Sequence, residues 1–162
     1  LFDLGDTLVP VQGNEKTLPH ALEVLAKLKS MYKLAIICNA TTATLERVKE
    51  ILKDAGILHF FDAVVVSTNV GYSKPDERIF QIALEKLGVK PQEAIMVGNR
   101  ISTDILGGNK TGMKTVLIEW SNKHQEEATC EMERPSYIIH SLKELIPIIR
   151  ELDKKPRDTN RY

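Results

Sequence analysis

The chain opens with LFDLGDTL (residues 1–8), a stretch in which a buried strand runs directly into acidic residues. Leu1 and Phe2 are apolar, and Asp3 and Asp6 follow them closely. A normal buried strand is about five residues long, so we expect this sequence to carry only the end of that strand. A strand that ends in an acid predicts a chemical site at one edge of a sheet.

Later segments predict what kind of sheet this is. Apolar runs recur at 34–38 (LAIIC), 63–67 (AVVVS), 94–97 (AIMV), 114–118 (KTVLI) and 137–139 (YII). Amphipathic segments with helical spacing separate these runs. Strands that are apolar throughout and alternate with helices are typical of a parallel sheet covered on both faces. The sequence therefore predicts a doubly wound, Rossmann-like α/β fold.

Three of the intervening segments carry clear helix signals. Each combines apolar residues three or four positions apart with a capping residue or a terminating glycine. The first is marked by Leu22, Leu25 and Leu28; the second by Leu45, Val48 and Leu52, with Thr41 or Thr42 as its cap and Gly56 at its end; the third by Ile79, Phe80, Ala83 and Leu87, with Pro75 in its first turn and Gly88 after it.

Length and composition limit the domain organisation and the partners. A chain of 162 residues can bury one sizeable core, so we expect a single domain over 1–152 and a polar tail at 153–162. The 22 basic and 22 acidic residues balance, which argues against nucleic acid or a membrane as the main partner. Two cysteines without a disulfide pattern favour the reducing cytoplasm.

The residues that could carry chemistry lie where the predicted strands end. In open parallel sheets, ligands bind outside the carboxyl ends of the strands. The candidates at these positions are Asp3, Cys38, Asn39, Lys74, Asn99 and Asp104. Residues that only stabilise a core have no reason to gather along one edge, so the pattern predicts a binding or catalytic site.

Four segments together resemble the motifs of the haloacid dehalogenase (HAD) superfamily, whose members are mostly phosphatases with an aspartate nucleophile. The first motif, D-x-D-x-T after a strand, corresponds to DLGDT at 3–7, and the second, a Ser or Thr usually followed by Asn, to Cys38-Asn39. The third, K-P-D-x-x-x-F, corresponds to KPDERIF at 74–80, and the fourth, G-D-x-x-x-x-D, to GNRISTD at 98–104. The motifs occur in order and at the expected spacing.

The resemblance implies a phosphohydrolase that uses Mg²⁺ and forms an aspartyl-phosphate at Asp3. It assigns the metal to four oxygen donors, from Asp3, the Gly5 carbonyl, Asn99 and Asp104. It assigns the phosphoryl group of a phosphorylated small molecule or macromolecule to Cys38, Asn39, Ala40 and Lys74. Lys74 would also keep the Asp3 carboxylate ionised.

Three positions depart from the family motifs. Gly5 takes the place of the second Asp of the first motif, which serves the family as general acid and base. Asp6, one residue later, is the candidate for that role here. Cys38 replaces a hydroxyl donor with a weaker one, and Asn99 removes one negative charge from the metal site. Together these changes predict slow hydrolysis, an unusual substrate, or a site retained for binding.

Two alternatives to a phosphohydrolase stay open. A non-catalytic member that binds phosphate or a partner protein would explain Gly5, Cys38 and Asn99 as losses. A 2-haloacid dehalogenase would explain Gly5 and Asn99, although such enzymes hold the haloacid under an apolar cap. Neither the flap at 9–17 nor the segment 67–73 can hold a cap domain, so we expect a large substrate, or a neighbouring subunit in a homo-oligomer, to cover the site.

Overall fold

The computed structural model describes residues 1–120 and 126–154, and its centre is a parallel sheet. The strands are β1 (Ala35–Cys38), β2 (Ala63–Val66), β3 (Ile95–Gly98), β4 (Lys114–Ile118) and β5 (Tyr137–Ile139). β1 pairs with β2, and β3, β4 and β5 pair in that order, with every pairing parallel. The predicted fold class, a Rossmann-like α/β sheet, is confirmed.

The first residues of the chain join the two groups of strands. Phe2 bridges Ile36 of β1 on one side and Val97 of β3 on the other. Its backbone N–H donates to the carbonyl of Ala35 at 2.8 Å, and the Asp3 N–H donates to the carbonyl of Val97 at 2.9 Å. The spatial order is therefore β2, β1, Phe2, β3, β4, β5, and Asp3 leaves the sheet at its middle.

Helices connect successive strands. They are α1 (Ala21–Lys29), α2 (Leu45–Asp54), α3 (Ser67–Val70), α4 (Glu77–Leu87), α5 (Leu106–Thr111) and α6 (Leu145–Lys154), with 3₁₀ turns at Leu58–Phe60, Pro91–Glu93, Glu131–Glu133 and Leu142–Glu144. A π-helical turn at Ile101–Ile105 leads directly into α5. In the described ranges, none of the helices has the length and apolarity that a membrane span requires.

The core lies on both faces of the sheet because neighbouring strand residues point to opposite sides. Ile36 packs in the larger cluster with residues of α1, α2 and α6, whereas Ala35 and Ile37 pack in a second cluster with Phe80 and other residues of α4. Both faces are thus covered by helices, as the uninterrupted apolar runs predict.

Several predicted boundaries were wrong. The cap of α2 is Thr44, whose side chain accepts from the backbone N–H of Arg47, and neither Thr41 nor Thr42 fills that place. Pro75 lies before the N-cap of α4, Asp76, and so outside the helix. Short-range sequence patterns mark these ends only within a few residues because several neighbouring side chains can cap a helix equally well.

The predicted polar tail also begins too early. Asp153 and Lys154 belong to α6, and the hydroxyl of Tyr32 donates to the Asp153 carboxylate, which ties the end of the helix to the loop after α1. Residues 155–162, the rest of that tail, lie outside the described residues, as do 121–125 of the charged loop that follows β4. Beyond that gap, the Glu126 carboxylate accepts from the backbone N–H of Ser102 at 2.6 Å.

A matched pair of substitutions in α1 tests which face of the helix stabilises the fold. Leu25 is 0% exposed and Leu22 is 48% exposed, although the spacing predicts both as apolar-face residues. Leu25→Ala should lower the free energy of unfolding by about 2–5 kcal/mol because it leaves a cavity. Leu22→Ala should change it by about 0.5 kcal/mol or less. Urea unfolding followed by circular dichroism measures both, and equal losses would contradict this packing.

Candidate active site

A buried lysine lies at the centre of the polar residues on the carboxyl edge of the sheet. The Nζ atom of Lys74 is 2.6 Å from Asp3 Oδ1, 2.7 Å from Asp104 Oδ1 and 2.9 Å from the carbonyl oxygen of Ile37. An ammonium group is a donor only, and here it meets two carboxylates and one carbonyl. The structure thus brings Asp3, Lys74 and Asp104 together from distant parts of the sequence.

The charges of this cluster are strongly coupled. Burial lowers the pKa of Lys74, but the carboxylates of Asp3 and Asp104 raise it by more, so the net shift is upward and the ammonium stays charged. Burial raises the pKa of Asp104 to about 6, while Lys74 opposes that shift. When both acids are ionised the cluster carries one excess negative charge, which suits a nearby cation.

Gly98 at the end of β3 lets Asp104 approach the strand. A Cβ atom at position 98 would lie 2.3 Å from Asp104 Oδ2 and 2.4 Å from its Cβ, both far inside contact distance. The same carboxylate oxygen accepts from the backbone N–H of Arg100 at 3.1 Å, inside the turn that precedes α5. Position 98 therefore requires glycine because a side chain there would collide with Asp104. The φ angle of Gly98 lies outside the left-handed region, so it is not the reason.

Thr7 brings two further oxygens together. Its hydroxyl is fully buried and lies 3.3 Å from Asp3 Oδ2 and 3.3 Å from Asn99 Oδ1. A hydroxyl has a single hydrogen, so it can satisfy one of these acceptors at a time. The sequence marked Thr7 only as part of a motif and gave it no contact; its place beside two candidate metal ligands is new information from the structure.

Asn39 and Ala40, which were expected to bind a phosphoryl group, make hydrogen bonds to other residues of the protein. The Asn39 side chain donates to the Lys74 carbonyl at 2.9 Å and accepts from the Lys74 N–H at 2.8 Å, so it fixes the loop that carries the lysine. The Ala40 N–H donates to Ser67 Oγ at 2.9 Å. Sequence reasoning missed Ser67, whose only signal was a hydroxyl at the end of β2.

Cys38 keeps its thiol protonated. Burial raises the pKa of the thiol to about 11, with a further contribution from the Asp3 charge and an opposing one from Lys74. Its Sγ lies 3.6 Å from the carbonyl oxygen of Asn39. Because the thiolate is the reactive form of cysteine, this side chain acts as a small, half-buried group with a weak donor.

Asp6 and Trp120 are in contact at the turn that follows Asp3. The Asp6 carboxylate accepts from the backbone N–H of Val11 at 3.0 Å, and the Asp6 carbonyl accepts from the indole N–H of Trp120 at 2.6 Å. Trp120 follows β4 in the chain. Its contact with the turn after Asp3 could not be read from the sequence, because it joins residues 114 positions apart.

The donor set fits a hard cation. Asp3 Oδ2 and Asn99 Oδ1 converge on the Thr7 hydroxyl, and Gly5 lies in the turn between Asp3 and Thr7. Within residues 1–120 and 126–154, no group of three or more His, Cys, Asp or Glu side chains could hold a metal ion. The donors that the resemblance implies are two carboxylates, an amide and a carbonyl. Mg²⁺ takes oxygen ligands, including one or two carboxylates, and keeps several waters.

Fold and site together define a class of protein. It is a doubly wound α/β domain in which an aspartate follows the middle of the sheet and a buried lysine connects it to a second aspartate. Residues 11–118 match the sequence model of the haloacid dehalogenase-like hydrolases. The chain belongs to the haloacid dehalogenase-like hydrolase family. The resemblance drawn from the four motifs is confirmed.

Similar proteins carry different activities in their names. The glyceraldehyde 3-phosphate phosphatase of Methanopyrus kandleri is 37% identical over 140 residues, which cover 86% of this chain and 59% of that protein. A dehalogenase of known structure matches with a TM-score of 0.69 at 32% identity, over 83% of this chain and 58% of the other. This chain thus spans less than two thirds of the length of both.

A relative of similar size is also known. The crystal structure of an uncharacterized protein from Listeria monocytogenes serotype 4b matches with a TM-score of 0.81 at 27% identity. The match covers 94% of this chain and 97% of that chain. The family fold therefore occurs elsewhere in a chain of about this length.

Replacing Gly98 tests the close approach of Asp104. In Gly98→Ala the new methyl group must displace Asp104 or the end of β3, since neither the Cβ of Asp104 nor the backbone can turn away. We expect a loss of about 1–3 kcal/mol in the free energy of unfolding, the usual cost of overpacking. Thermal and urea unfolding measure the loss; an unchanged midpoint would show that Asp104 does not lie against the glycine.

Proposed function

We propose that this chain is a Mg²⁺-dependent phosphohydrolase that works through an aspartyl-phosphate on Asp3. The observation that carries the proposal is the difference in exposure within the charged cluster. The Asp3 side chain is 14% exposed, whereas those of Lys74 and Asp104 are 2% and 1% exposed. Asp3 is thus the member of the cluster that a substrate can reach, and the other two residues support it from below.

The contacts of Asp3 suit a nucleophile. Lys74 donates to Oδ1 and places a positive charge beside the carboxylate, which offsets the repulsion between Asp3 and a negatively charged substrate. Attack of a carboxylate oxygen on phosphorus forms the aspartyl-phosphate and releases the alcohol oxygen of the ester; water then cleaves the acyl phosphate and restores Asp3. Bound Mg²⁺, held by Asp3, the Gly5 carbonyl, Asn99 and Asp104, would offset the charge that both phosphoryl steps develop.

The weak point of this chemistry is proton transfer to the leaving oxygen. General acid and base catalysis is typically worth about 10²–10⁴-fold in rate, and Gly5 has no side chain to provide it. Asp6 was the sequence candidate for that role, and its carboxylate accepts from the Val11 N–H. Slow turnover, or a substrate whose leaving group needs no proton, follows from this arrangement.

The substrate class is a phosphate ester, and support comes from the phosphatase of Methanopyrus kandleri at 37% identity. In this chain the segment between Asp3 and α1 holds only a flap, and the segment between β2 and Lys74 holds only the four-residue helix α3. The site therefore has no cap inserted at either place. We infer that a bulky phosphorylated substrate, or a second copy of the chain, excludes water during the reaction.

A dehalogenase is a second candidate. The dehalogenase relative is 32% identical, and Gly5 and Asn99 are the two departures that point in this direction. Such an enzyme would use the same Asp3 to displace halide from carbon and would need no metal. A non-catalytic phosphate-binding protein is the third reading, against which the intact Asp3–Lys74 pair counts.

Asp3→Asn separates these possibilities. We expect the native chain to release phosphate from p-nitrophenyl phosphate and glyceraldehyde 3-phosphate with Mg²⁺ and not with EDTA, and Asp3→Asn to lose that turnover because an amide cannot attack phosphorus. Asp54→Asn, an exposed acid on α2, is the matched control and should keep it. Steady-state phosphate release measures all three proteins, with circular dichroism to show equal folding.

Each other outcome selects a different function. Turnover that survives EDTA contradicts the metal-dependent mechanism. Halide release from a small 2-haloacid without metal supports the dehalogenase. Absence of turnover in every assay, together with Mg²⁺ or phosphate binding by calorimetry, supports a binding protein.

Gly5→Asp tests whether the missing acid limits the rate. A Cβ at position 5 would lie 3.0 Å from Val11 Cγ2, and the Val11 side chain, with the residue 69% exposed, has room to turn away. We expect Gly5→Asp to raise kcat by up to about 10²-fold, the lower bound of the usual range. Gly5→Ala adds the same Cβ without a carboxyl and should not raise it. Equal kcat in both variants would mean that proton transfer is not rate-limiting.

A further inference from the structure

The turn after Asp3 holds a buried acid in an unusual backbone conformation. Asp6 has a φ of 54° and is 6% exposed. Among residues other than glycine, Asp and Asn adopt this left-handed region most readily because their short polar side chains can bond locally. The conformation turns the Asp6 carboxylate toward the flap at residues 9–17.

Asp6 contacts that flap at two points. Its backbone N–H donates to the Val9 carbonyl at 2.8 Å, and its carboxylate Oδ1 accepts from the Val11 N–H at 3.0 Å. The second contact is the only one of the two that depends on the side chain. This hydrogen bond to a charged acceptor favours the present position of the flap over one in which the Val11 N–H binds water.

The flap position matters because the flap lies beside the nucleophile. Val11 is the flap residue whose side chain approaches Gly5, to within 3.0 Å of the place where a Cβ would stand. Gly5 is two residues from Asp3, so Val11 lies against the turn that follows the carboxylate. A flap that moved away would leave the site open on this side.

A third contact links the same turn to the segment that follows β4. The indole N–H of Trp120 donates to the Asp6 carbonyl at 2.6 Å. This tryptophan is the only one in the sequence, so its fluorescence reports on this turn alone. The N–H, the carbonyl and the carboxylate of Asp6 are therefore all engaged in holding the turn and the flap.

We propose that Asp6 is a positioning residue that holds the 9–17 flap beside Asp3 by accepting the Val11 N–H, and that it does not transfer a proton in the reaction. The kinetic part of this proposal, the change in KM, rests on the phosphohydrolase function proposed above. The two roles need different chemistry. Holding the flap requires only an oxygen acceptor, whereas acid and base catalysis requires an ionisable carboxyl group.

Asp6→Asn and Asp6→Gly separate the two roles. Asn keeps an acceptor oxygen, loses the ionisable group and tolerates the left-handed backbone; Gly tolerates the same backbone without strain and has no acceptor. Asp6→Gly should raise KM and speed hydrogen exchange of the Val11 amide by about 2- to 10-fold, the usual net worth of one hydrogen bond. Asp6→Asn should rescue both quantities, with native Trp120 emission.

Two results would overturn the proposal. If Asp6→Asn lowers kcat at least as far as Asp6→Gly while Val11 exchange stays native in Asp6→Asn, then the carboxyl group acts in proton transfer. If exchange at Val11 is native in Asp6→Gly, then the side chain does not hold the flap. Amide exchange and fluorescence need no substrate, so a chain without phosphatase activity would refute the proposed function and still leave the flap contact tested.

Discussion

The bridge that Lys74 makes between Asp3 and Asp104 is the interaction on which the rest of the site depends. A buried ammonium is tolerated only where its charge and its N–H groups are matched, and here three oxygens match them. Removing one partner of such a buried pair typically costs about 3–5 kcal/mol, because the other charge is left uncompensated. The same three contacts thus also fix the position of the Asp3 carboxylate, which we propose as the nucleophile.

The surrounding structure supplies the means of bringing these groups together. Phe2 occupies the middle of the sheet with bonds to both neighbouring strands, so Asp3 emerges at a fixed point. The Asn39 amide holds the backbone of Lys74, and Gly98 leaves room for Asp104. A change in any of these three supporting residues would move the charged cluster.

The fold and the convergence of the three central charged residues were predictable from the sequence because both depend on periodic or local signals. Apolar runs of strand length separated by amphipathic segments predicted the parallel sheet, and the ends of those runs predicted Asp3, Lys74 and Asp104. What the sequence could not predict are contacts between distant polar groups. Trp120 with Asp6, Asn39 with the Lys74 backbone and Ser67 with Ala40 join segments that have no periodic relation to one another. The predictions of the α2 cap and of the end of α6 failed for a different reason. Neighbouring residues could cap or end these helices equally well.

The state of Cys38 has a consequence for metal selectivity. Soft and borderline cations such as Cu⁺ and Zn²⁺ gain most of their affinity from thiolate or imidazole ligands, whereas hard cations prefer carboxylate and carbonyl oxygens. Since the pKa of the Cys38 thiol is raised to about 11, the sulfur is protonated at neutral pH, and a soft cation that bound to it would have to displace that proton. The cost of displacing that proton favours the hard cation that we propose for the oxygen donors.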